Sequence, residues 1–141
     1  MTVVQDDGPV GRSERWRVRT ADPRRGGAEW AGVLAATHVA FTVRLPEGGP
    51  GFTGTVERRR LGPLSLVECA CGAFAGRRGR ADMGDPGEGT IGLQIVRHGA
   101  ERVLHGPAAG RVLTAGAVGL WDGTRPVGVE VLAPFRKRTV I

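Results

Sequence analysis

The chain has 141 residues, about the length of one domain, and is long enough to bury a hydrophobic core. Glycine is abundant at 24 residues and aromatic residues make up only 5% of the chain, a composition that favours many tight turns over long helices. The formal net charge of +6 comes from nineteen arginines and one lysine, which fall in short clusters. No run reaches the five or more like charges, roughly, of a nucleic-acid-binding tail, and aromatic side chains are too few for a base-stacking platform.

Hydropathy argues against the membrane and secreted classes. No stretch approaches the roughly eighteen apolar residues of a membrane span. Residues 1–25 contain acidic, glycine, proline and arginine residues but no apolar segment of the kind found in a signal peptide. We therefore expect a cytoplasmic protein with no membrane partner.

The first predicted segments are an arm and a helix. Residues 1–27 are polar, punctuated by proline and rich in arginine, with Trp16 as the one large apolar anchor. Such a segment cannot form its own core, so we predict a flexible N-terminal arm over residues 1–27 and a folded domain over residues 28–141. Within residues 28–36, Trp30, Val33 and Leu34 fall on one helical stripe, which predicts a short helix after the arm.

The rest of the chain alternates between apolar and polar residues in short runs separated by glycine and proline turns, a pattern typical of β-strands. The predicted strands are residues 40–45, 52–60, 64–71, 90–99, 101–104, 110–114, 117–122, 127–132 and 135–141. The segment 76–89, rich in glycine, arginine and aspartate, is predicted to be a long loop, either functional or disordered. These elements predict a mainly β protein, a small antiparallel barrel or sandwich that encloses a ligand.

The two cysteines lie two residues apart in a predicted strand, so Cys69 and Cys71 share one face of it. Neighbours on one strand face are poorly placed for a mutual disulfide, and two thiols supply only half of a tetrahedral metal site. Two small buried side chains are therefore favoured over a metal or redox role.

Motifs for common enzymatic chemistry are weak. Residues 87–92 match the spacing of a dinucleotide fingerprint, but a predicted strand follows where that fingerprint needs a helix, so we interpret them as a hairpin turn. Neither serine lies in a nucleophile elbow, which leaves no nucleophile for a serine triad. The carboxylates of Glu68, Glu101, Asp122 and Glu130 are spread one per strand, where isolated carboxylates commonly face solvent or form turns.

A series of short motifs follows a fixed order along the chain. They are Trp30, then FTGTV at 52–56, LGPLSL at 61–66, Arg77 and Arg78, LQI at 93–95 ahead of Gly99, GRVLTAG at 110–116, and LWD at 120–122 ahead of Pro126. In order and spacing the chain from Trp30 to Ile141 resembles the N-terminal ligand-sensing and dimerisation domain of AraC-type bacterial transcription regulators.

That resemblance implies a cupin-like antiparallel β-barrel or jelly roll with a short N-terminal helix. It also implies a small-molecule effector inside the barrel and a homodimer, or a mixed dimer with a related regulator. Such regulators read DNA through two helix-turn-helix motifs in a second half, which we expect this chain to lack because the resemblance reaches Ile141. The histidine and glutamate set of enzymatic cupins is missing, so the resemblance implies a sensor with no cofactor, no metal and no catalytic residue.

Four residues are predicted to bind the effector. Trp121 would form an apolar wall with one donor, and Gln94 would supply an inward amide; the alternative for Trp121 is a core aromatic under a turn. Arg97 would hold an acidic ligand, against the alternative of a solvated arginine at a strand end. His38 is the fourth candidate, with capping of the helix end as its alternative.

Two other functions stay open. One is a cupin-fold enzyme whose metal is bound by His98, His105 and a carboxylate, since the two histidines flank a predicted hairpin turn. The other is a small basic nucleic-acid-binding module, whose affinity would fall steeply with salt.

Overall fold

Antiparallel strands make up most of the chain in a computed structural model that describes residues 1–6, 11–85, 89–107, 109–132 and 134–141. The strands are β1 (Thr2–Asp6), β2 (Ser13–Thr20), β3 (Thr42–Arg44), β4 (Phe52–Leu61), β5 (Leu64–Cys71), β6 (Phe74–Arg78), β7 (Ile91–His98), β8 (Ala100–Leu104), β9 (Arg111–Thr114), β10 (Val118–Asp122), β11 (Val127–Val131) and β12 (Phe135–Val140). Helix α1 (Pro23–Thr37) follows β2, and a 3-10 turn occupies Arg80–Asp82.

The strands form two sheets, and every pairing in them is antiparallel. Among the described residues, seven strands follow the order β1-β2-β4-β5-β12-β7-β10, and five follow the order β3-β6-β11-β8-β9. Strand β12 comes last in the chain but lies between β5 and β7. A tight hairpin joins β4 to β5, and a turn at Gly99 carries the chain from β7 in one sheet to β8 in the other. Each turn contains a glycine at positive φ, Gly62 at 63° and Gly99 at 78°, a conformation that L side chains rarely adopt.

The structure corrects the prediction of a flexible arm over residues 1–27, within the part of that range that it describes. Strand β2 pairs with β4 along eight positions, from Ser13 opposite Arg59 to Thr20 opposite Phe52. Trp16 and Val18 point into the core, while the arginines that alternate with them point outward. The alternation has a period of two, and the high arginine content concealed it.

Helix α1 also begins earlier than the sequence predicts. Asp22 caps it, because its side chain accepts hydrogen bonds from the backbone N–H groups of Arg24 (3.0 Å) and Arg25 (3.4 Å), and Pro23 fits the first helical turn. The predicted apolar stripe of Trp30, Val33 and Leu34 is confirmed, since all three side chains are buried.

The core combines side chains from α1 and from both sheets. The Trp30 ring meets Phe52 edge-on at 5.3 Å between ring centroids and meets Phe74 at 6.1 Å. Gly54 on β4 lies directly beneath the Trp30 ring, so that any side chain at this position would collide with the indole. One cluster of buried apolar residues therefore ties the helix to the sheets.

The predicted loop at 76–89 is shorter in the structure, because β6 continues to Arg78. The Arg78 side chain is fully buried and donates to the carbonyl oxygens of Ala40 (2.9 Å), Asp82 (3.2 Å) and Gly123 (2.8 Å) and to the Asp85 carboxylate (2.7 Å). This side chain fixes three separate stretches of backbone to one another. Residues 86–88, which include the start of the glycine pattern at 87–92, lie outside the described residues.

Within the described ranges, α1 is too short and too polar to cross a lipid bilayer, and no other helix of sufficient length occurs there.

Candidate ligand-binding site

Polar side chains gather between the two sheets, beside the apolar core. We call His38, Gln94, Glu101, Lys137 and Thr139 the interior polar cluster. Strand register brings its members together, since β12 places Thr139 beside Gln94 of β7, and Lys137 two positions earlier shares the inward face with Thr139. The cluster thus draws on both sheets and on the end of α1.

Gln94 links two charged groups across the interior. Its amide nitrogen donates to the Glu101 carboxylate at 2.7 Å, and its amide oxygen accepts from the Lys137 ammonium at 3.2 Å. Gln94 is 5% exposed and Glu101 only 2%, so the carboxylate is held almost entirely away from water. A buried charge is costly unless hydrogen bonds or an opposite charge compensate it, and here an amide stands between the two charges.

Two atoms of the cluster are buried and have no hydrogen-bond partner among the described residues, namely Thr139 Oγ1 and His38 Nε2. Thr139 is completely buried. A hydroxyl and a ring nitrogen left in this way retain unused hydrogen-bonding capacity inside the protein. The indole N–H of Trp30 is a third such atom, on the apolar side of the interior.

The protonation of His38 follows from its neighbours. The Thr37 hydroxyl donates its proton to the Val33 carbonyl at 2.8 Å, so His38 Nδ1 must donate to the Thr37 oxygen at 2.9 Å. Burial lowers the pKa of His38 well below its usual value, and the positive charges of Lys137 and Arg58 lower it further. The ring is therefore neutral, and Nε2 carries a lone pair that can only accept.

Cys69 and Cys71 line the interior beside the cluster, and both are free and buried, as the sequence favours. A hydrogen bond between the two thiols lowers the pKa of Cys69 and raises the pKa of Cys71. Burial adds to the rise at Cys71, while the Lys137 charge assists the lowering at Cys69.

Of the four residues predicted from sequence, Gln94 and His38 belong to the interior polar cluster, whereas Trp121 and Arg97 lie outside it. Gln94 points inward, and His38 is buried at the end of α1, where its backbone N–H also bonds the Leu34 carbonyl at 2.8 Å. Trp121 is half-buried on β10 opposite Gly92, where its ring covers the space that a side chain at Gly92 would need. Ligand binding by these three residues stays a prediction.

The structure places Arg97 on the outward face of β7, where its side chain is exposed. The buried residues of this strand are Gly92, Gln94 and Val96, so the strand alternation directs Arg97 to solvent. This orientation corresponds to the solvated arginine that the sequence left as its alternative.

Sequence reasoning missed three members of the cluster. Glu101 was one of several scattered carboxylates, with no signal for burial. Lys137 and Thr139 belong to β12, where inward alternation from Phe135 would have found them, but the basic run Arg136-Lys137-Arg138 looks like a solvated surface. Lys137 opposes Cys69, and this pairing between distant segments has no local signal.

The described part of the chain contains no group of three or more His, Cys, Asp or Glu side chains arranged to hold a metal ion. His98 at the end of β7 and His105 after β8 are both exposed.

Comparison with solved structures places this architecture among known folds. The AraC-like transcriptional activator CuxR aligns with 89% of this chain at a TM-score of 0.67 and 18% identity, and the chain spans 46% of that protein. A protein of unknown function from Vibrio parahaemolyticus aligns with 72% of this chain and 97% of its own, at a TM-score of 0.50 and 11% identity. KdgF from Halomonas sp. aligns with 67% of this chain and 82% of its own, at a TM-score of 0.46 and 18% identity.

At sequence identities this low, the structural similarity shows the fold alone. No protein-family profile and no curated protein sequence matches the chain. The prediction of a mainly β, cupin-like fold with antiparallel sheets and an N-terminal helix is confirmed.

Proposed function

We propose that this chain is the effector-sensing and dimerisation part of an AraC-type transcription regulator and that it binds a small polar molecule between its two sheets. The observation that carries the proposal is the interior polar cluster, in which Thr139 Oγ1 and His38 Nε2 are buried without partners. Native proteins rarely leave such atoms unpaired, and a ligand that bonds them would recover the cost of their burial. The fold it shares with an AraC-like activator supports the regulatory context.

The cluster indicates what the effector must offer. His38 Nε2 can only accept, so it selects a ligand hydroxyl or N–H group, and Thr139 can donate or accept. Lys137 bonds a neutral amide oxygen and would bind a ligand carboxylate more strongly. A small molecule with several hydroxyl groups, such as a sugar or a hydroxy acid, satisfies these requirements. Binding of this kind requires no chemical step, and we propose no enzymatic activity.

The test is a thermal-shift titration of the purified chain with a panel of monosaccharides, sugar acids and hydroxy acids. We expect at least one compound to raise the Tm of the wild-type protein. Thr139→Val replaces the unpaired hydroxyl with a methyl group of the same shape, so it should leave the free protein as stable or more stable and remove the ligand-induced shift. Thr114→Val on the exposed part of β9 is the matched control and should retain the shift.

Two outcomes would contradict the proposal. One is a panel in which no compound shifts the Tm of the wild type. The other is a compound whose shift persists unchanged in Thr139→Val, because binding would then occur away from the cluster.

The proposal includes assembly as a homodimer or as a mixed dimer with a related regulator, and contact with DNA through a helix-turn-helix half. Light scattering after size-exclusion chromatography tests for the homodimer. Co-purification with a tagged full-length relative tests for the mixed dimer. A mass of one chain at all concentrations, with no relative retained, would contradict this part.

A further inference from the structure

A concave surface lies at one end of the seven-stranded sheet. It is an open groove of about 950 Å³, and we call it the basic groove because Arg19, His98 and Arg136 line it. Its other polar lining residues are Thr20, Thr53 and Thr55. Phe52 and Phe135 are buried and alternate along their strands with Thr53 and Arg136, so these two polar side chains face outward. The buried residues Phe52, Cys71 and Phe135 also border the groove, but none of the five residues of the interior polar cluster lines it, so the two sites are distinct.

The floor of the groove is made of small side chains. Thr55 on β4 opposes Ala70 on β5, and Ala70 in turn opposes Arg136 on β12. On the other side, Arg19 of β2 opposes Thr53 of β4. Three strand spacings of about 4.8 Å separate β2 from β12, and Arg19 lies two residues along its strand from the row that contains Arg136. The two arginines therefore stand roughly 16 Å apart at the backbone across a low floor.

The carboxylates of this sheet face are already engaged by other arginines. Glu57 forms ion pairs with Arg15 at 2.8 Å and Arg59 at 3.2 Å, and the Arg15 hydrogen bond lowers the pKa of Glu57. Glu68 is paired with Arg138.

The groove itself keeps an excess of positive charge. Among the described residues, no acidic side chain lines it, and neither Arg19 nor Arg136 forms an ion pair. Both arginines are exposed, so their guanidinium groups are free to meet a ligand. A concave surface lined by one sign of charge attracts ligands of the opposite sign.

We propose that the basic groove binds a small phosphate-bearing molecule with more than one anionic oxygen group, such as a nucleoside polyphosphate. The planar fork of arginine matches the geometry of phosphate oxygens, and the threonine hydroxyls on the floor can donate to them. Two arginines on opposite sides favour a ligand whose negative charges are spread along its length. The volume is that of a small-molecule site, whereas a nucleic acid backbone would require a longer basic track.

Isothermal titration of the full chain with inorganic pyrophosphate and with ATP, at about 0.15 M salt, tests the proposal. We expect saturable binding of both probes by the wild type, weakened about tenfold or more in Arg19→Gln and in Arg136→Gln. Arg111→Gln, at an exposed position of β9 in the other sheet, is the matched control and should bind like the wild type. Because all three arginines are exposed, their variants should keep the wild-type Tm, which distinguishes lost binding from lost folding.

The proposal is overturned if neither probe binds, or if the three variants bind equally. A short DNA duplex forms a further arm of the experiment, and tighter binding of the duplex than of ATP would overturn it in favour of nucleic acid. Thr139→Val should bind pyrophosphate normally, so a failure at the groove is distinguishable from a failure of the interior effector site.

Discussion

At the residue scale, His38 both ends helix α1 and supplies a ring nitrogen to the proposed ligand site. Its backbone ends α1 through a hydrogen bond to Leu34, while its neutral ring presents an unpaired Nε2 to the interior. Burial and the charges of Lys137 and Arg58 oppose its protonation. The same residue therefore makes both the stability of the fold and the proposed ligand site sensitive to pH.

The predicted consequence concerns pH between about 7.5 and 5.5. The pKa of His38 is lowered in the folded state. At a pH below the ordinary histidine value of 6.5, the unfolded chain therefore binds a proton that the folded chain does not bind. The free energy of unfolding should therefore fall as the pH falls, with a slope that approaches about 1.4 kcal/mol per pH unit for one proton. Urea unfolding at several pH values should show this slope in the wild type and a flatter one in His38→Gln.

His105→Gln serves as the control for that series, because His105 is exposed. It should retain the slope of the wild type. If His38→Gln retained the same slope as well, the proton would have to be taken up elsewhere.

Arg78 is the second residue whose effect exceeds its size. Its fully buried guanidinium connects Ala40, Asp82, Asp85 and Gly123, which lie up to 45 residues away in sequence. Arg78→Met would leave these acceptors without their shared donor. We expect it to lower the free energy of unfolding by about 3 to 5 kcal/mol, measured by urea denaturation.

Arg78→Lys preserves the charge but not the planar fork, so it should recover only part of that loss. Arg111→Met removes an exposed arginine of the same length and should leave the unfolding midpoint unchanged. Equal stability of Arg78→Met and Arg111→Met would contradict a structural role for the buried guanidinium.

At the element scale, β2 is the segment whose status changes most between sequence and structure. Trp16 is 6% exposed, and the Arg58 guanidinium lies 5.0 Å from the centre of its ring. Trp16→Ala should therefore cost about 3 to 5 kcal/mol in the free energy of unfolding, the usual penalty for emptying a buried aromatic site. Chemical denaturation followed by circular dichroism provides the measurement.

Arg17→Ala, one residue along the same strand but facing outward, should cost far less. A flexible arm would predict little effect from either substitution. Equal and small effects would therefore restore the arm and remove β2 from the sheet.

Strands with a plain alternation and strong turn signals could be predicted closely from sequence. The strand predicted at residues 64–71 is confirmed with the same bounds as β5, and β4 extends only one residue beyond its prediction. The turn at Gly62 between them needs a positive φ, and glycine provides a local signal for it. For these two strands and their turn, local sequence signals were sufficient to predict the structure.

Elements that depend on distant partners could not be predicted in this way. The last three residues of β6, 76–78, fall within the predicted loop because glycine and arginine lack β propensity. Pairing with β3 and β11 and the buried contacts of Arg78 nevertheless stabilise the strand. Gln94 could be predicted to face inward from alternation. Its contacts with Lys137 and Glu101 depend on which strands are neighbours in the fold, and a single sequence does not reveal that order.

At the scale of the whole molecule, the seven-stranded sheet depends on β12. This strand pairs with β5 on one side and β7 on the other, and it supplies the buried side chains of Phe135 and Thr139. Strand β1, in contrast, lies at the edge and pairs only with β2. Loss of the central strand should therefore be far more damaging than loss of the edge strand.

Deletion of residues 135–141 should abolish cooperative thermal unfolding, measured by circular dichroism, because β5 and β7 would lose their shared partner. Deletion of residues 2–6, which removes β1, should leave a cooperative transition at a somewhat lower Tm. A cooperative transition in the first deletion would show that the remaining strands can close the sheet without β12.

The central place of β12 has a consequence for how the protein is made. Translation delivers the strands in chain order, so β5 and β7 leave the ribosome well before the strand that joins them. Until residue 140 emerges, both carry unpaired backbone groups of the kind through which nascent chains associate wrongly. We therefore expect the sheet to close after synthesis of its last strand, and the growing chain to depend on chaperones that shield strand edges.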